Sequence, residues 1–435
     1  MNRIIIQKTS VEANQIVCEA SAEGAVAKAF RATPFEFRYR SSLPLTGVPE
    51  SVAVIPLLAS LLPVSWVYDA TIEVDTCDRS FFESIPNFKQ GYVDMYPMLD
   101  FRGDMKVGAL VDNAVDGDGS LCFFSSGVDA FDTLFRHAAE KPMLLTIRGS
   151  DVRLGDAEGW EVAQRQMRDA AGLVGSESVA IECDFRWIFN YTELNAAAVR
   201  GSDNWWHGLQ HGIAITSLAA PIAWLRGMRS VYIASSFTRE SEGSVTCASD
   251  PSIDNHVRFC GARVIHDGYE SGRLDKLRAI AEWCEGHDRR VYLRVCLNPR
   301  GGVTCSHCEK CYRTILGIYA IGRDPREYGF QYDSLEALFE EMHENGHLLI
   351  DNFHTRYMPI IRELHKNHTL ETVSPALRWL WDMDLSRSGE LFKWINRKNV
   401  EDASTIRRLE QQVRSQNRAI GRLRTKVSRL KRSKS

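Results

Sequence analysis

Between residues 120 and about 320, short apolar runs alternate with helix-length stretches, and no other feature of this 435-residue chain restricts its fold as much. The runs fall at 121–124, 143–147, 179–182, 231–234 and 291–295, with helical stretches at 157–171, 208–225 and 273–284 between several of them. A strand that is apolar on both sides must be covered on both faces. A parallel sheet with helical crossovers does this, so the expected class is α/β. In such sheets the ligand sits beyond the carboxyl ends of the strands.

The flanks read differently. Residues 1–115 form a β-rich α+β region: strands are expected near Ile4, Ile16, Phe37 and Ile72, three of them with period-two alternation, and 51–62 reads as a buried helix. The turn-rich stretch 111–119 is a linker. The expected α/β domain runs 119–320, a helical region 321–402, and a basic coiled coil 403–432. In the last segment Ile406, Val413, Ile420 and Val427 take heptad position a, while Leu409, Gln416, Leu423 and Leu430 take d. β-branched residues at a with Leu at d favour a parallel pair of helices, and hence a homo-oligomer. The competing reading is a basic helix lying on RNA or a membrane surface.

Charge supports this division. The net charge is −3, yet from Glu401 onward eleven basic residues face three acidic ones, leaving the body strongly acidic. An acidic body argues against a broad nucleic-acid surface there and leaves the tail as a polyanion contact. The opening apolar run is too short for a signal peptide and no stretch is long enough to span a membrane, so a cytoplasmic protein is expected.

Four of the eleven cysteines stand together: Cys296, Cys305, Cys308 and Cys311, spaced C-x8-C-x2-C-x2-C. Two overlapping C-x2-C steps let one short loop offer several thiolates to one ion, and Cys296 can close the tetrahedron. Four thiolates suit a closed, structural Zn²⁺ site. His307 lies within the loop, but four sulfurs already fill the shell.

A second local pattern follows the first apolar run of the α/β stretch: Ser125, Ser126, Gly127, Val128 and Asp129, then a helix. A strand, a small-residue turn and a helix N-terminus form an anion site, because the first amides point at the ligand and the dipole favours negative charge. The same residues could equally be an ordinary βα turn with Asp129 as its cap. Arg148 and Ser235 follow the second and fourth runs and could contact a nucleoside. His207 and His211 have the i, i+4 spacing of metal ligands but no third ligand nearby, and Cys247 and Cys260 read as core thiols.

The turn resembles the Ser-Gly-Gly-x-Asp-Ser loop of the N-type ATP pyrophosphatases (the PP-loop superfamily). The cysteine spacing resembles the zinc loop of one branch, the 7-cyano-7-deazaguanine synthases (QueC-like enzymes). Together they cover about residues 119–320. The resemblance implies an adenine nucleotide alpha hydrolase-like, Rossmann-like fold. It implies cleavage of ATP to AMP and pyrophosphate with Mg²⁺, activating a carboxylate on a small molecule or macromolecule for amide or nitrile formation. Ser125 and the backbone of Ser126, Gly127 and Val128 would hold pyrophosphate, and Asp129 would fix the loop and help place Mg²⁺. Arg273, Lys276 and Arg313 are the candidate cations. The chain departs from the pattern at Ser126, where the family has Gly, and at Ala130, where it has Ser. A nucleotide-binding assembly or sensor protein without turnover, and a tRNA-thiolating relative, are the alternatives.

Overall fold

A computed structural model of the chain describes residues 2–198, 204–241, 245–296, 303–344 and 356–381. Contacts divide the chain into two compact units, Met1–Ser306 with Arg323–Gln331, and His307–Gly322 with Tyr332–Ser435.

The first unit is built on one eleven-stranded sheet. Its strands are β1 (Asn2–Val11), β2 (Gln15–Glu23), β3 (Phe35–Ser41), β4 (Ala70–Asp78), β5 (Asp104–Val111), β6 (Gly119–Phe123), β7 (Met143–Arg148), β8 (Ser178–Cys183), β9 (Met228–Ala234), β10 (Arg258–Phe259) and β11 (Ala262–Asp267). They lie in the order β10-β11-β9-β6-β7-β8-β3-β2-β1-β4-β5. The run from β11 to β8 is parallel throughout. Leu121, Cys122 and Phe123 of β6 are all buried, as are Met143 to Leu145 of β7, so both faces are covered, as the apolar runs require.

β3 shows the opposite pattern. Phe35, Phe37 and Tyr39 are buried while Glu36, Arg38 and Arg40 are exposed, leaving one face to solvent. β3 joins the edge of β8 in antiparallel register, Tyr39 opposite Cys183. The N-terminal strands therefore extend the α/β sheet rather than forming a sheet of their own, and one hydrophobic core contains Ile4, Phe37, Leu58, Leu218 and Val231. The segment 111–119 connects β5 to β6 within that sheet. The buried helix expected at 51–62 is found as two, Glu50–Ala53 and Ile55–Tyr68, the second buried from Ile55 through Trp66.

Residues 291–295, expected as the fifth strand of the parallel run, are not one. β11 takes that place beside β9. The physical reason lies in the backbone hydrogen bonds: Leu293 N–H donates to Tyr328 (3.0 Å) and Arg294 N–H to Ser126 (2.7 Å). The segment's donors are thus spent on loops, and the hairpin β10–β11 closes that edge of the sheet.

In the second unit, the helices Glu309–Ala320, Leu335–Glu344, Met358–Asn367 and Arg378–Trp381 pack through apolar faces. Tyr319 meets Phe339 edge-on and stacks on His368. Among the described residues after 321, these helices reach as far as Trp381. The expected coiled coil 403–432, with its heptad, lies outside the described residues.

Candidate functional site

Within the parallel run the chain proceeds from β6 outward to β7 and β8, then returns to the other side of β6 for β9 and β11. The order therefore reverses between β6 and β9, and the carboxyl ends of those two strands flank a crevice where α/β sheets bind ligands. The turn at 125–129 sits there.

Its conformation follows from the reversal the chain must make. Phe124 N–H still donates to Leu145 of β7 (2.8 Å). Ser126 then adopts φ +62°, a left-handed conformation that costs an L-residue roughly 1–2 kcal/mol. Gly127 is extended and leads into the helix Val128–Arg136. Ser125 Oγ accepts from Gly127 N–H at 3.4 Å. The first intrahelical bond runs from Phe131 N–H to the Gly127 carbonyl (3.1 Å), so the amides of Gly127 and Val128 precede the ladder at the positive end of the helix. Arg294 braces the outside of the turn, its main-chain N–H on the Ser126 carbonyl and its Nε on that of Ser125 (3.2 Å). Burial lowers the pKa of this guanidinium, against the attraction of Asp151 and Asp156. Nothing in the sequence around Arg294 marks it for this role. Its only signal is its place two residues before Cys296.

Three of the residues singled out in the sequence converge on the first helical turn. Lys276 Nζ lies 3.2 Å from Asp129 Oδ1, and Arg273 Nη2 lies 3.4 Å from Asp129 Oδ2. Both cations belong to the helix Arg273–His287, three residues apart and so on one face. That helix is pressed onto Val128–Arg136 through Phe135 and Trp283, stacked at 3.8 Å. Lys276 is 2% exposed. Its second partner is the carbonyl of Ser235, at 2.5 Å, just past the end of β9. Ser235 thus enters the site through its backbone; its hydroxyl bonds elsewhere, to the Phe237 carbonyl. Gly268, at φ +77°, turns the chain after β11, and a Cβ there would lie 3.5 Å from Lys276 Nζ.

Arg148 sits at the end of β7, where its guanidinium pairs with Glu182 of β8 (2.9 Å). Ala130 is buried in the first turn of the helix. Arg313 lies in the helix Glu309–Ala320 and faces Glu309 at 3.6 Å.

Behind the turn is a charged group that sequence reading missed. Asp267, the last residue of β11, accepts from Thr133 Oγ1 (2.9 Å) and meets His137 Nε2 (3.1 Å). Burial opposes the charge of Asp267, but the bonds from His137 and Thr133 outweigh it and hold the carboxyl below its usual range. For His137 burial works against protonation, and Asp267 and Glu140 outweigh it and raise the pKa.

Residues Trp206–Gln210 form a π-helical stretch, which offsets carbonyls from the regular ladder. The hydroxyls of Tyr92 and Tyr96 donate to the carbonyls of Leu209 (3.0 Å) and Gly208 (2.6 Å). His211, which burial holds below its usual pKa, has Nδ1 4.0 Å from Cys247 Sγ. Burial pushes the Cys260 thiol well up, as suits a core cysteine.

The sulfurs of Cys296, Cys305, Cys308 and Cys311 all lie within 4.8 Å of one another, and among the described residues this is the group that could hold a metal ion. A tetrahedral Zn²⁺ with bonds of about 2.3 Å separates its sulfurs by roughly 3.8 Å, and Cys308 and Cys311 are already 3.4 Å apart. The donor set fits a closed thiolate site. Ser306 at φ +63° makes the tight bend, and Cys308 is the N-cap of the helix that starts at Glu309, which places its sulfur near a positive helix end. His307 Nδ1 instead meets Glu341 at 2.9 Å. No helix among the described residues is long and apolar enough to cross a membrane.

No family model, curated protein or solved structure matches this chain.

Proposed function

We propose that the chain is an ATP-dependent adenylating enzyme of the PP-loop kind, which cleaves ATP to AMP and pyrophosphate to activate a carboxylate for amide or nitrile formation. The observation that carries this reading is the convergence of Lys276 and Arg273 on Asp129 in the first helical turn after β6, where the strand order reverses. The parallel strands taken alone run in the order third, second, first, fourth, fifth, the order of a doubly wound nucleotide-binding sheet. A carboxylate oxygen attacks the α-phosphorus, and the bond to the β-phosphate oxygen breaks. The charge gathered on the departing pyrophosphate needs oriented donors and cations. Ser125 with the amides of Ser126, Gly127 and Val128 supplies the donors, and Arg273 and Lys276 supply the cations. Asp129 would accept Mg²⁺ arriving with ATP; Ser235 would act through its carbonyl on Lys276, and Arg148 is the candidate for the nucleoside side. Ammonia, an amine or sulfide then displaces AMP. Cys296, Cys305, Cys308 and Cys311 would hold zinc with four thiolates, which would make its role structural.

The decisive experiment is incubation with Mg²⁺ and α-labelled ATP, with and without cell extract, resolving AMP from ADP. AMP with pyrophosphate is expected, and abolished by Asp129→Ala. ADP alone removes the proposed chemistry. A second reading, a nucleotide-binding protein without turnover, draws on Ser126, which carries a Cβ in the left-handed conformation where the family pattern has Gly. ATP binding without any AMP would favour it. Assembly through the heptad at 403–432, with the basic tail on a polyanion, would be read from sedimentation after deletion beyond Glu401.

A further inference from the structure

Three residues behind Lys276 form a hydrogen-bonded chain. Asp254 Oδ2 meets His266 Nδ1 at 2.9 Å, and His266 Nε2 meets Ser235 Oγ at 2.8 Å. Ser249 Oγ donates to the same oxygen of Asp254 (2.8 Å). Asp254 and Ser235 are fully buried and His266 is 8% exposed. The residue types and order are those of a hydrolase triad, but the geometry is wrong for a nucleophile. Ser235 is closed off from solvent, and its single hydroxyl proton is committed to the Phe237 carbonyl at 2.7 Å. The hydroxyl must therefore accept from His266 Nε2. Both ring nitrogens therefore donate, Nδ1–H to the Asp254 carboxylate on the other side, and the main-chain N–H of His266 donates to Asn255 Oδ1 (2.8 Å).

What this chain fixes is the backbone of Ser235. The residue is clamped by its hydroxyl on two sides and by its N–H, which donates to the main-chain carbonyl of Asp267 at 2.8 Å. The remaining group, its carbonyl, faces Lys276 Nζ at 2.5 Å. A buried ammonium needs fixed acceptors to stay where it is, and Asp129, the other acceptor, sits on the turn itself. We propose that Asp254, His266 and Ser235 form a positioning relay that holds Lys276 against the turn after β6, so that His266 acts on the anion site without touching the anion. The consequence for that site rests on the nucleotide reading above; the placement of Lys276 does not.

The test separates the two. Trace acetylation of the full-length protein with acetic anhydride, read peptide by peptide, reports the exposure of each lysine amine. Lys276 should label slowly in the unmodified protein. It should label several-fold faster in His266→Asn, which loses the reach to Ser235, and in Ser235→Ala, with other lysines unchanged. His266→Gln, whose amide can still donate to Ser235 Oγ, should restore slow labelling. Equal Lys276 labelling in all four proteins overturns the relay. If His266→Asn labels everywhere and is unfolded, Ser235→Ala decides alone, and no rise at Lys276 there overturns it as well. Calorimetry with Mg²⁺-pyrophosphate adds the functional arm. His266→Asn should weaken binding about tenfold, the worth of a bond to a charged group, and should have no further effect in a Lys276→Met background. Additive losses would mean that His266 does not act through Lys276. An unmodified protein that ignores pyrophosphate would remove the nucleotide reading while the labelling still judges the relay.

Discussion

The cysteine loop and the turn after β6 are assembled in opposite ways. All four sulfurs of the loop come from one continuous stretch, 296–311. The partners of the turn come from far along the chain: Lys276 is 147 residues from Asp129, and Arg294 is 169 residues from Ser125. The loop closes cheaply in chain entropy, and four thiolates there would need an ion to hold them together. The turn needs the whole sheet in place before its cations meet it. The loop should therefore fail when its ligands or ion are removed, and the turn when its charges are left unbalanced.

The largest expected effect is on the loop. Structural zinc in small peptides is worth roughly 10–16 kcal/mol, comparable with the whole stability of a domain. Cys311→Ser, or a strong chelator, should release about one zinc per chain by metal analysis and lower the thermal midpoint sharply. Well-folded protein with no metal would end the comparison. Next comes the turn. Asp129→Ala strips the ammonium of Lys276 of its carboxylate and should cost about 2–4 kcal/mol in denaturant unfolding. The double variant Asp129→Ala/Lys276→Met should regain much of that stability without regaining AMP formation. A double variant no more stable than the single would mean that the pair's burial is not the source of the cost.

A smaller effect lies behind the turn, at His137 and Asp267. The raised pKa of His137 gives stability that is complete below its usual 6.5 and lost as the pH climbs through the folded value above it. The lowered pKa of Asp267 gives stability that is complete above its usual 3.8 and lost as the pH falls through the folded value below it. The pair should contribute most between those two limits, on the order of 1 kcal/mol, and Asp267→Asn should flatten the unfolding profile at both ends. The smallest effect is local to the turn. Ser126→Gly removes a Cβ from a left-handed position and should stabilise by about 0.5–1 kcal/mol. A loss of stability there would mean that the buried side chain of Ser126 contributes more than its backbone costs.

The legibility of the molecule follows the same line. The apolar runs at β6 to β9 announced buried parallel strands because a strand covered on both faces has no polar side to show. The run at 291–295 misled for a related reason: Val291, Leu293 and Val295 are buried, but its backbone hydrogen bonds go to Ser126 and Tyr328, and composition does not reveal a donor's partner. β11 went unnoticed because Arg263 and His266 interrupt its apolar residues; that histidine is buried only because Asp254 and Ser235 receive it. The union of the N-terminal strands with the α/β sheet rests on one edge pairing, β3 with β8, which neither strand specifies alone.

What the sequence determined by itself is what neighbours along the chain can decide: the class α/β, the small-residue turn before a helix, and the spacing that brings four thiolates to one point. The tertiary structure alone decided which charges meet that turn. It put Arg273, Lys276 and Asp129 together, left Arg148 on Glu182, and recruited Arg294 and the Ser235 carbonyl, which no motif marks. Local geometry is set by bonds and propensities within a few residues. The company a buried charge keeps is set by the order of strands in the sheet, and that order is a property of the whole chain.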